Sequence, residues 1–496
     1  MSKINKQMMK LSEEQTQKLI THYKSNNFRK LEIESGNLIK KYPSNIFLYN
    51  MNGIALAGQK KFTKAIKVFY RALTIEPKNA ELYCNIGNVF LAEGKINDAI
   101  KNYKTAIKNN KEFAEAYYNL GNIQKNKSDF NSAVLNYTKA IKIKPNYEEA
   151  YSNLGNIKKY QRKFNEAREY YNSALKVNPN SKTAYINLSY LNLSEEKFKM
   201  GWEGHEKRPE INFLYKKLKL NKNKLWDGKR FTGNLMVIGE QGLGDYVLFG
   251  SMLNDLLQVQ KTISVMINDR LLSIFKRSFP TIKFIKFDNN FNKYKYDKYI
   301  FFGSLGKYFR NSVESFPKNQ VSFLCPKKNY VLEMKKLFKK NNKIKIGISW
   351  KTASKNNRNE RNIDLVKFEK LFNNKNLEFI DLQYGNTNKE RSLIYNKFGV
   401  KFRHFKNIDY TNDIEKLAAL ISECDLVITI ANFTTQLSGS MGIPTWVLLP
   451  YSCHWRWFVN RTNSLWYPSV KLFRQKKWNH WNGVINDVSK SLKNFK

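Results

Sequence analysis

The stretch 80–113, AELYCNIGNVFLAEGKINDAIKNYKTAIKNNKEF, is followed at once by 114–147, AEAYYNLGNIQKNKSDFNSAVLNYTKAIKIKPNY. Laid over one another, the two match glycine to glycine and alanine to alanine at a step of 34, and the register runs on in both directions. Gly53, Gly87, Gly121 and Gly155 keep the step, as do Ala65, Ala99, Ala133 and Ala167, and Ala72, Ala106, Ala140 and Ala174. An aromatic set, Phe69, Tyr103, Tyr137 and Tyr171, follows it too; Pro77, Pro145 and Pro179 end units, with Lys111 in place of the missing proline. Small residues let two antiparallel helices approach closely, the aromatic fills the gap to the next unit, and proline cannot continue the second helix.

This period and pattern are the tetratricopeptide signature. One unit has too little core to stand alone, so stacked units share a continuous core and leave a groove suited to an extended protein or peptide partner. Four units are expected from Ile46 to Ser181. Phe28 and Pro43 lie 34 residues before Phe62 and Pro77 and mark a degenerate unit in front, and the helical stretch from Lys182 to Arg208 caps the back. The array is therefore assigned to 1–208.

The remaining chain is long enough for more: 496 residues with 42% hydrophobic side chains fill two or three cores. The four cysteines are far apart and form no C-x-x-C pair, so neither a zinc site nor a disulfide framework is suggested, and a reducing cytoplasm fits best. The first residues lack the apolar segment of a signal peptide, and no apolar run approaches the ~18 residues of a membrane span, so a soluble cytoplasmic protein is expected. The net charge of +45 attracts anions. Lysines occupy nearly every helix and loop, however, so the excess reads as a composition bias. It implies weak electrostatic contact with an anionic membrane and no specific nucleic acid, because no base-stacking module or reading motif accompanies it.

After Arg208 the pattern changes. A linker at 209–230 ends near the turn Trp226-Asp227-Gly228, and short apolar strands then alternate with amphipathic helices, first LMVIGE, ISVMIND, IKFIKF and YDKYIFF, later KIGISW, LEFIDLQ, DLVITI and TWVLLP. Such alternation implies parallel sheets with crossover helices. Two Rossmann-like halves are expected, at 231–330 and 340–496, with ligand in the cleft at the carboxyl ends of the strands. On this division the part from 209 to 496 folds by itself.

Three motifs lie at strand ends. Gly239-Glu240-Gln241-Gly242-Leu243-Gly244-Asp245 joins a strand to a helix; Gln241, Gly242 and Gly244 allow close backbone approach, and Asp245 either takes a proton from an attacking hydroxyl or caps the helix. Asn432-Phe433-Thr434-Thr435 starts a helix after a buried strand, where backbone amides can hold a diphosphate or where Asn432 and the hydroxyls simply satisfy helix-end donors. Lys351 ends the strand KIGISW and either neutralises a leaving phosphate or is one lysine among many. No D-x-D motif asks for a metal, so no obligatory metal and no cofactor are expected.

The runs WDGKRFTGNLMVIGEQGLGDYVLFGSML, IGISWKTASKNNRNERNIDL and LQYG, with DLVITIANFTTQLSGSMGIPTWVLLPYSCHWRWFVNRTNSLWYPSVKLFRQ, resemble a bacterial family that fuses tetratricopeptide repeats to a heptosyltransferase-like domain of the GT-B fold. The chain is also similar in plan to the protein O-linked N-acetylglucosaminyltransferases. The resemblance implies an α-solenoid followed by a GT-B-type α/β domain, the first half on the acceptor side and the second on the donor side. It implies a glycosyltransferase that moves a sugar from a nucleotide-diphosphate sugar to a hydroxyl, on a protein selected by the repeats. It places Asp245 where the acceptor-activating aspartate stands, Lys351 at a donor-phosphate position, Gln383 beside the nucleoside, and Asn432 to Thr435 at the phosphate-binding helix start. The chain departs from the family at Ala431 and Gln436, where an acidic residue and a histidine are usual. That departure supports the rival expectation, a non-catalytic interaction or scaffold protein with a degenerate transferase domain.

Overall fold

The structure is a computed structural model that describes residues 11–319, 322–338, 342–353 and 358–495. The chain forms two compact units, one of Met1–Lys158 with Asn165–Ser181, the other of Lys159–Phe164 with Lys182–Lys496.

The first unit is built of antiparallel helix pairs. Glu13–Lys24 and Phe28–Lys41 precede Ile46–Gly58 and Phe62–Leu73, Ala80–Ala92 and Ile96–Asn109, then Ala114–Asn126 and Phe130–Ile143. The glycines have the role their spacing gives them. A Cβ on Gly53, Gly87, Gly121 or Gly155 would stand 2.4, 2.6, 2.8 or 2.5 Å from a ring carbon of Phe69, Tyr103, Tyr137 or Tyr171. Each tyrosine is then pinned by its hydroxyl, Tyr103 to Asn88 at 2.7 Å, Tyr137 to Asn122 at 2.7 Å and Tyr171 to Asn156 at 2.9 Å. Asparagine side chains also tie one repeat to the next, Asn85 to Asn50 at 2.7 Å, Asn119 to Asn88 at 3.1 Å and Asn153 to Asn122 at 3.0 Å.

The backbone carries the period further than the side chains do. Asn26, Lys60, Gly94, Ser128, Arg162 and Glu196, again 34 apart, all have φ between 54° and 83°, the left-handed conformation that turns one helix into the next. Only one of the six is glycine, so the register at 26 and 196 is hard to see in the residue types. It shows the same turn in the degenerate pair at the front and in the pair Lys182–Ser194 and Phe198–His205.

That last pair nevertheless belongs to the second compact unit, together with the turn segment Lys159–Phe164, and not to the array assigned to 1–208. The reason is burial. Trp202 is 1% exposed and donates its indole N–H to the carbonyl of Arg310 at 2.7 Å, and the fully buried guanidinium of Arg208 donates to Glu240 Oε1 at 2.7 and 3.1 Å. Glu240 also accepts from the backbone N–H groups of Phe302 and Gly303, each at 3.0 Å. The expected linker likewise contains a helix, Pro209–Leu218, whose Ile211, Leu214 and Leu218 pack on Met236, Ile238 and Phe301 of the first sheet.

That sheet comprises β1 (Leu235–Ile238), β2 (Ile263–Ile267), β3 (Lys283–Lys286) and β4 (Lys298–Phe301), all parallel, in the order β3-β2-β1-β4. The second comprises β5 (Ile344–Ser349), β6 (Leu377–Asp381), β7 (Leu426–Ile430), β8 (Thr445–Leu449) and β9 (Val470–Arg474), again parallel, in the order β6-β5-β7-β8-β9. In each sheet the chain builds outward on one side and then crosses to the other, so a switch point lies between β1 and β4 and another between β5 and β7. The strand β9 and the closing helix Trp481–Lys493 complete the second half beyond the strands the sequence singled out. Among the described residues no helix is long and apolar enough to cross a membrane.

Two expectations follow. Gly121→Ala gains about 1 kcal/mol of helix propensity but forces a methyl into a ring that cannot swing away, an overpacking cost of about 1 to 3 kcal/mol. The net effect should be a loss of stability, seen as a lower denaturation midpoint of the helical circular-dichroism signal. Removing the chain through Arg208 leaves Glu240 buried without its partner, a penalty of about 3 to 5 kcal/mol. The remaining 209–496 piece is therefore expected to lose its native tryptophan fluorescence, whereas removal of residues 1–158 should preserve it.

Candidate functional site

The helix Leu243–Gly250 follows β1, and the helix Phe433–Ser440 follows β7. Their amino ends approach one another because Gly244 has no side chain: a Cβ there would stand 3.3 Å from Cγ of Gln436 and 4.0 Å from Nη1 of Arg456. Around this approach lies a cavity of about 480 Å³. Much of its lining comes from the carboxyl ends of strands in both sheets, and Lys159, Arg162, Tyr190 and Ser194 reach it from the helical region that precedes them. Gly242, Gly244 and Asp245 follow β1, Thr352 and Arg361 follow β5, Ala431 to Phe433 follow β7, Pro450 to Trp457 follow β8, and Arg474 ends β9. The switch point between β5 and β7 thus opens into it, with the end of β1 alongside, the place where ligands bind in open α/β sheets.

Five cations, Lys159, Arg162, Arg361, Arg456 and Arg474, meet a single carboxylate, Asp245, among the described lining residues. Arg162 donates to the carbonyl of Val459 at 3.0 Å, Arg474 to the carbonyl of Arg461 at 2.9 Å and to that of Trp457, and Arg361 to that of Ala431. These neutral acceptors fix the guanidinium groups without cancelling their charge. Arg456 differs: it pairs with Asp245 Oδ1, while its Nε donates to His454 Nδ1 at 3.1 Å. The other carboxylate oxygen of Asp245 accepts from the N–H of Gly242 at 3.2 Å, so the aspartate does cap its helix while also facing the cavity.

The segment carrying Arg456 is held from behind. Trp455 packs against Tyr190, Trp202, His205 and Trp466 with ring centroids 6.2, 5.6, 6.2 and 6.1 Å away. Phe458 adopts φ 50°, a conformation that costs a bulky residue about 1 to 3 kcal/mol. Its ring sits against Phe198 and Phe316, and the next residue, Val459, donates to the carbonyl of Ser194 at 2.9 Å. Arg461 adds a forked pair with Glu196 at 2.6 and 3.1 Å.

Of the residues singled out from sequence, Gly242, Gly244, Asp245, Asn432 and Phe433 come together around the cavity, whereas Gln241, Lys351, Gln383, Thr434 and Thr435 are not in its lining. Asn432 stands at the helix start but makes no capping bond. Its amide turns inward to Ser349 Oγ at 2.7 Å and to the carbonyl of Lys351 at 3.2 Å. Thr434 is buried, and Thr435 donates to the carbonyl of Ile430 at 2.8 Å. Gln383, also buried, accepts at Oε1 from Ser349 Oγ and from the N–H groups of Trp350 and Lys351, which shapes the end of β5. The ammonium of Lys351 is paired with Glu390. Sequence reasoning missed Lys159, Arg162, Arg456 and Arg474 as site residues. Its one signal was the concentration of tryptophan around Arg456, because a charge between two buried indoles is held in place. Gln436, the departure from the family pattern, lines the cavity and accepts from the hydroxyl of Tyr467 at 2.7 Å.

Family models described as TPR repeat match residues 53–92 and 87–128, and models described as Tetratricopeptide repeat match 114–147 and 148–181. The first unit is thereby a tetratricopeptide-repeat array. The chain is also similar to protein FlbA of Caulobacter vibrioides, 29% identical over 289 residues, which is 54% of this chain and 48% of FlbA. It thus spans about half the length of that relative. Solved structures with likeness to it include MamA, 22% identical over 34% of this chain and 97% of that one with a TM-score of 0.28. PilF of Pseudomonas aeruginosa is 20% identical over 33% and 74% with a TM-score of 0.31. YrrB, described as a TPR protein with an unusual peptide-binding site, is 18% identical over 38% and 98% with a TM-score of 0.29.

His205, under Trp455, offers a pH test of this packing. It is 1% exposed, neither ring nitrogen has a hydrogen-bond partner among the described residues, and burial, then Arg208 and Arg456, hold its pKa well below the usual 6.5. Below pH 6.5 the unfolded chain therefore binds a proton that the native one refuses, and stability falls with pH until the folded pKa is reached. Relative to His205→Leu, the wild type is expected to lose up to about 1.4 kcal/mol per pH unit across that window. Urea denaturation followed by tryptophan fluorescence measures it, because all nine tryptophans lie at or beyond Trp202.

Proposed function

We propose that the second unit is a glycosyltransferase of GT-B plan that moves a sugar from a nucleotide-diphosphate sugar to a hydroxyl. In this reading the repeat array selects the protein or peptide that carries the hydroxyl. The observation that carries it is the cavity at the carboxyl ends of β1, β5, β7 and β8, where among the described lining residues one carboxylate faces five cations and two helix amino ends. Asp245 takes the proton of the acceptor hydroxyl as its oxygen bonds to the anomeric carbon. The bond from that carbon to the diphosphate oxygen breaks, and the charge gathering on the leaving diphosphate is met by guanidinium groups and backbone amides that are already in position. The proton later passes to solvent.

For the repeat array, support comes from a groove of about 530 Å³ lined by Tyr23, Phe28, Phe69, Asn85 and Asn88 among others. Apolar rings with amide side chains between them suit an extended peptide, whose side chains need pockets and whose backbone needs hydrogen-bond partners. The rival reading, a non-catalytic scaffold, keeps the groove and the anion site but has no turnover.

Asparagine retains the size of Asp245 and an oxygen to accept the Gly242 N–H. Asp245→Asn should therefore leave folding intact and lower turnover by about 10² to 10⁴. Turnover is measured with a panel of nucleotide-diphosphate sugars and the intact chain. Undiminished turnover in the variant removes Asp245 from the chemistry, and no turnover of the wild type with any donor favours the scaffold.

A further inference from the structure

Among the described lining residues, Arg456 is the cation that forms a direct ion pair with a carboxylate lining the cavity, Asp245. The guanidinium and the carboxylate are both largely shielded, with 12% and 22% of their side chains exposed, so their attraction is not lost to solvent screening as a surface pair's is. Arg456 is also anchored independently of Asp245. Its Nε is held on His454 at 3.1 Å, its guanidinium carbon lies 5.8 Å from the ring centre of Trp455, and Trp455 is buried. The fork can therefore change partners at Nη without changing place. A phosphate arriving between the two helix amino ends enters the space Arg456 lines and competes with Asp245 for the same nitrogen.

We propose that Arg456 is an exchange residue: it holds Asp245 until a phosphate of the donor takes its guanidinium, and that exchange frees the carboxylate for the acceptor hydroxyl. No covalent bond is involved; one ion pair replaces another. The inference rests on the glycosyl-transfer reading for the role of Asp245 as base. Its consequence is an order of events. The donor binds first, and the acceptor hydroxyl meets a base only when a leaving group is in position.

Inorganic pyrophosphate is the probe, titrated calorimetrically into the full chain without added metal, for wild type, Asp245→Asn, Arg456→Gln and the double variant. Removing the competing carboxylate should tighten pyrophosphate binding about tenfold. Arg456→Gln should weaken it. In the Arg456→Gln background, Asp245→Asn should change it less than about twofold, because nothing remains to be exchanged. Equal tightening in both backgrounds would mean only that a negative charge repels the ligand at a distance, and no tightening would mean that the two do not compete; either result overturns the exchange. Should Arg456→Gln fail to fold, Arg456→Met, whose unbranched chain fills the same space, repeats the cycle. Turnover of the wild type, measured on the same preparation, keeps the two ideas apart. Absence of turnover with every donor overturns glycosyl transfer without touching the cycle, and equal tightening overturns the exchange without touching turnover.

Discussion

The burial of Trp455 is the constraint on which the second unit depends. An indole is large and apolar, and rings from several distant segments help to enclose it here: Tyr190 and Trp202 from the helix pair before the sheets, His205 behind them, and Trp466 from beyond β8. Satisfying this one side chain brings the pair Lys182–Ser194 and Phe198–His205 onto the α/β unit. It also fixes the loop after β8 and aims the neighbouring Arg456 into the cavity. The unfavourable backbone at Phe458 is tolerated because the same packing holds it.

Charge acts at two scales in this protein. The overall excess of +45 is spread along the chain, where salt screens it and water solvates it. The cavity concentrates a few of those charges where water is partly excluded and where backbone carbonyls orient them. The geometry selects which arginines matter. Arg162, Arg361 and Arg474 each spend hydrogen bonds on neutral carbonyls and keep their charge available, whereas Arg456 shares its charge with Asp245. An anion that enters is therefore met by fixed charges that need little rearrangement.

The repeats were legible because their physics is local. A glycine against an aromatic ring at a constant step is a contact between two helices of one hairpin, and spacing along the chain encodes it directly. The left-handed turn residues at Asn26 and Glu196 show the limit of that legibility, since the backbone keeps the step where the residue types no longer advertise it. The strand ends were readable for a similar reason. A buried apolar run that stops at glycine or asparagine marks where a sheet opens, and Gly242, Gly244, Asp245, Asn432 and Phe433 all face the cavity as that logic implies. Lys351 and Gln383 lie at strand ends too, yet each found a nearer partner, Glu390 for the one and the end of β5 for the other.

By itself, then, the sequence determined the solenoid, the two sets of alternating strands and helices, and the short list of strand-end residues, because each is written in spacings of a few to a few tens of residues. The tertiary structure alone decided where the second unit begins, which way Asn432 turns, and that Asp245 meets Arg456, 211 residues away. Those outcomes depend on which buried rings and charges must be satisfied together. Such satisfaction is a property of the packed interior, where any of 86 basic side chains could in principle have been chosen and close packing selected a few.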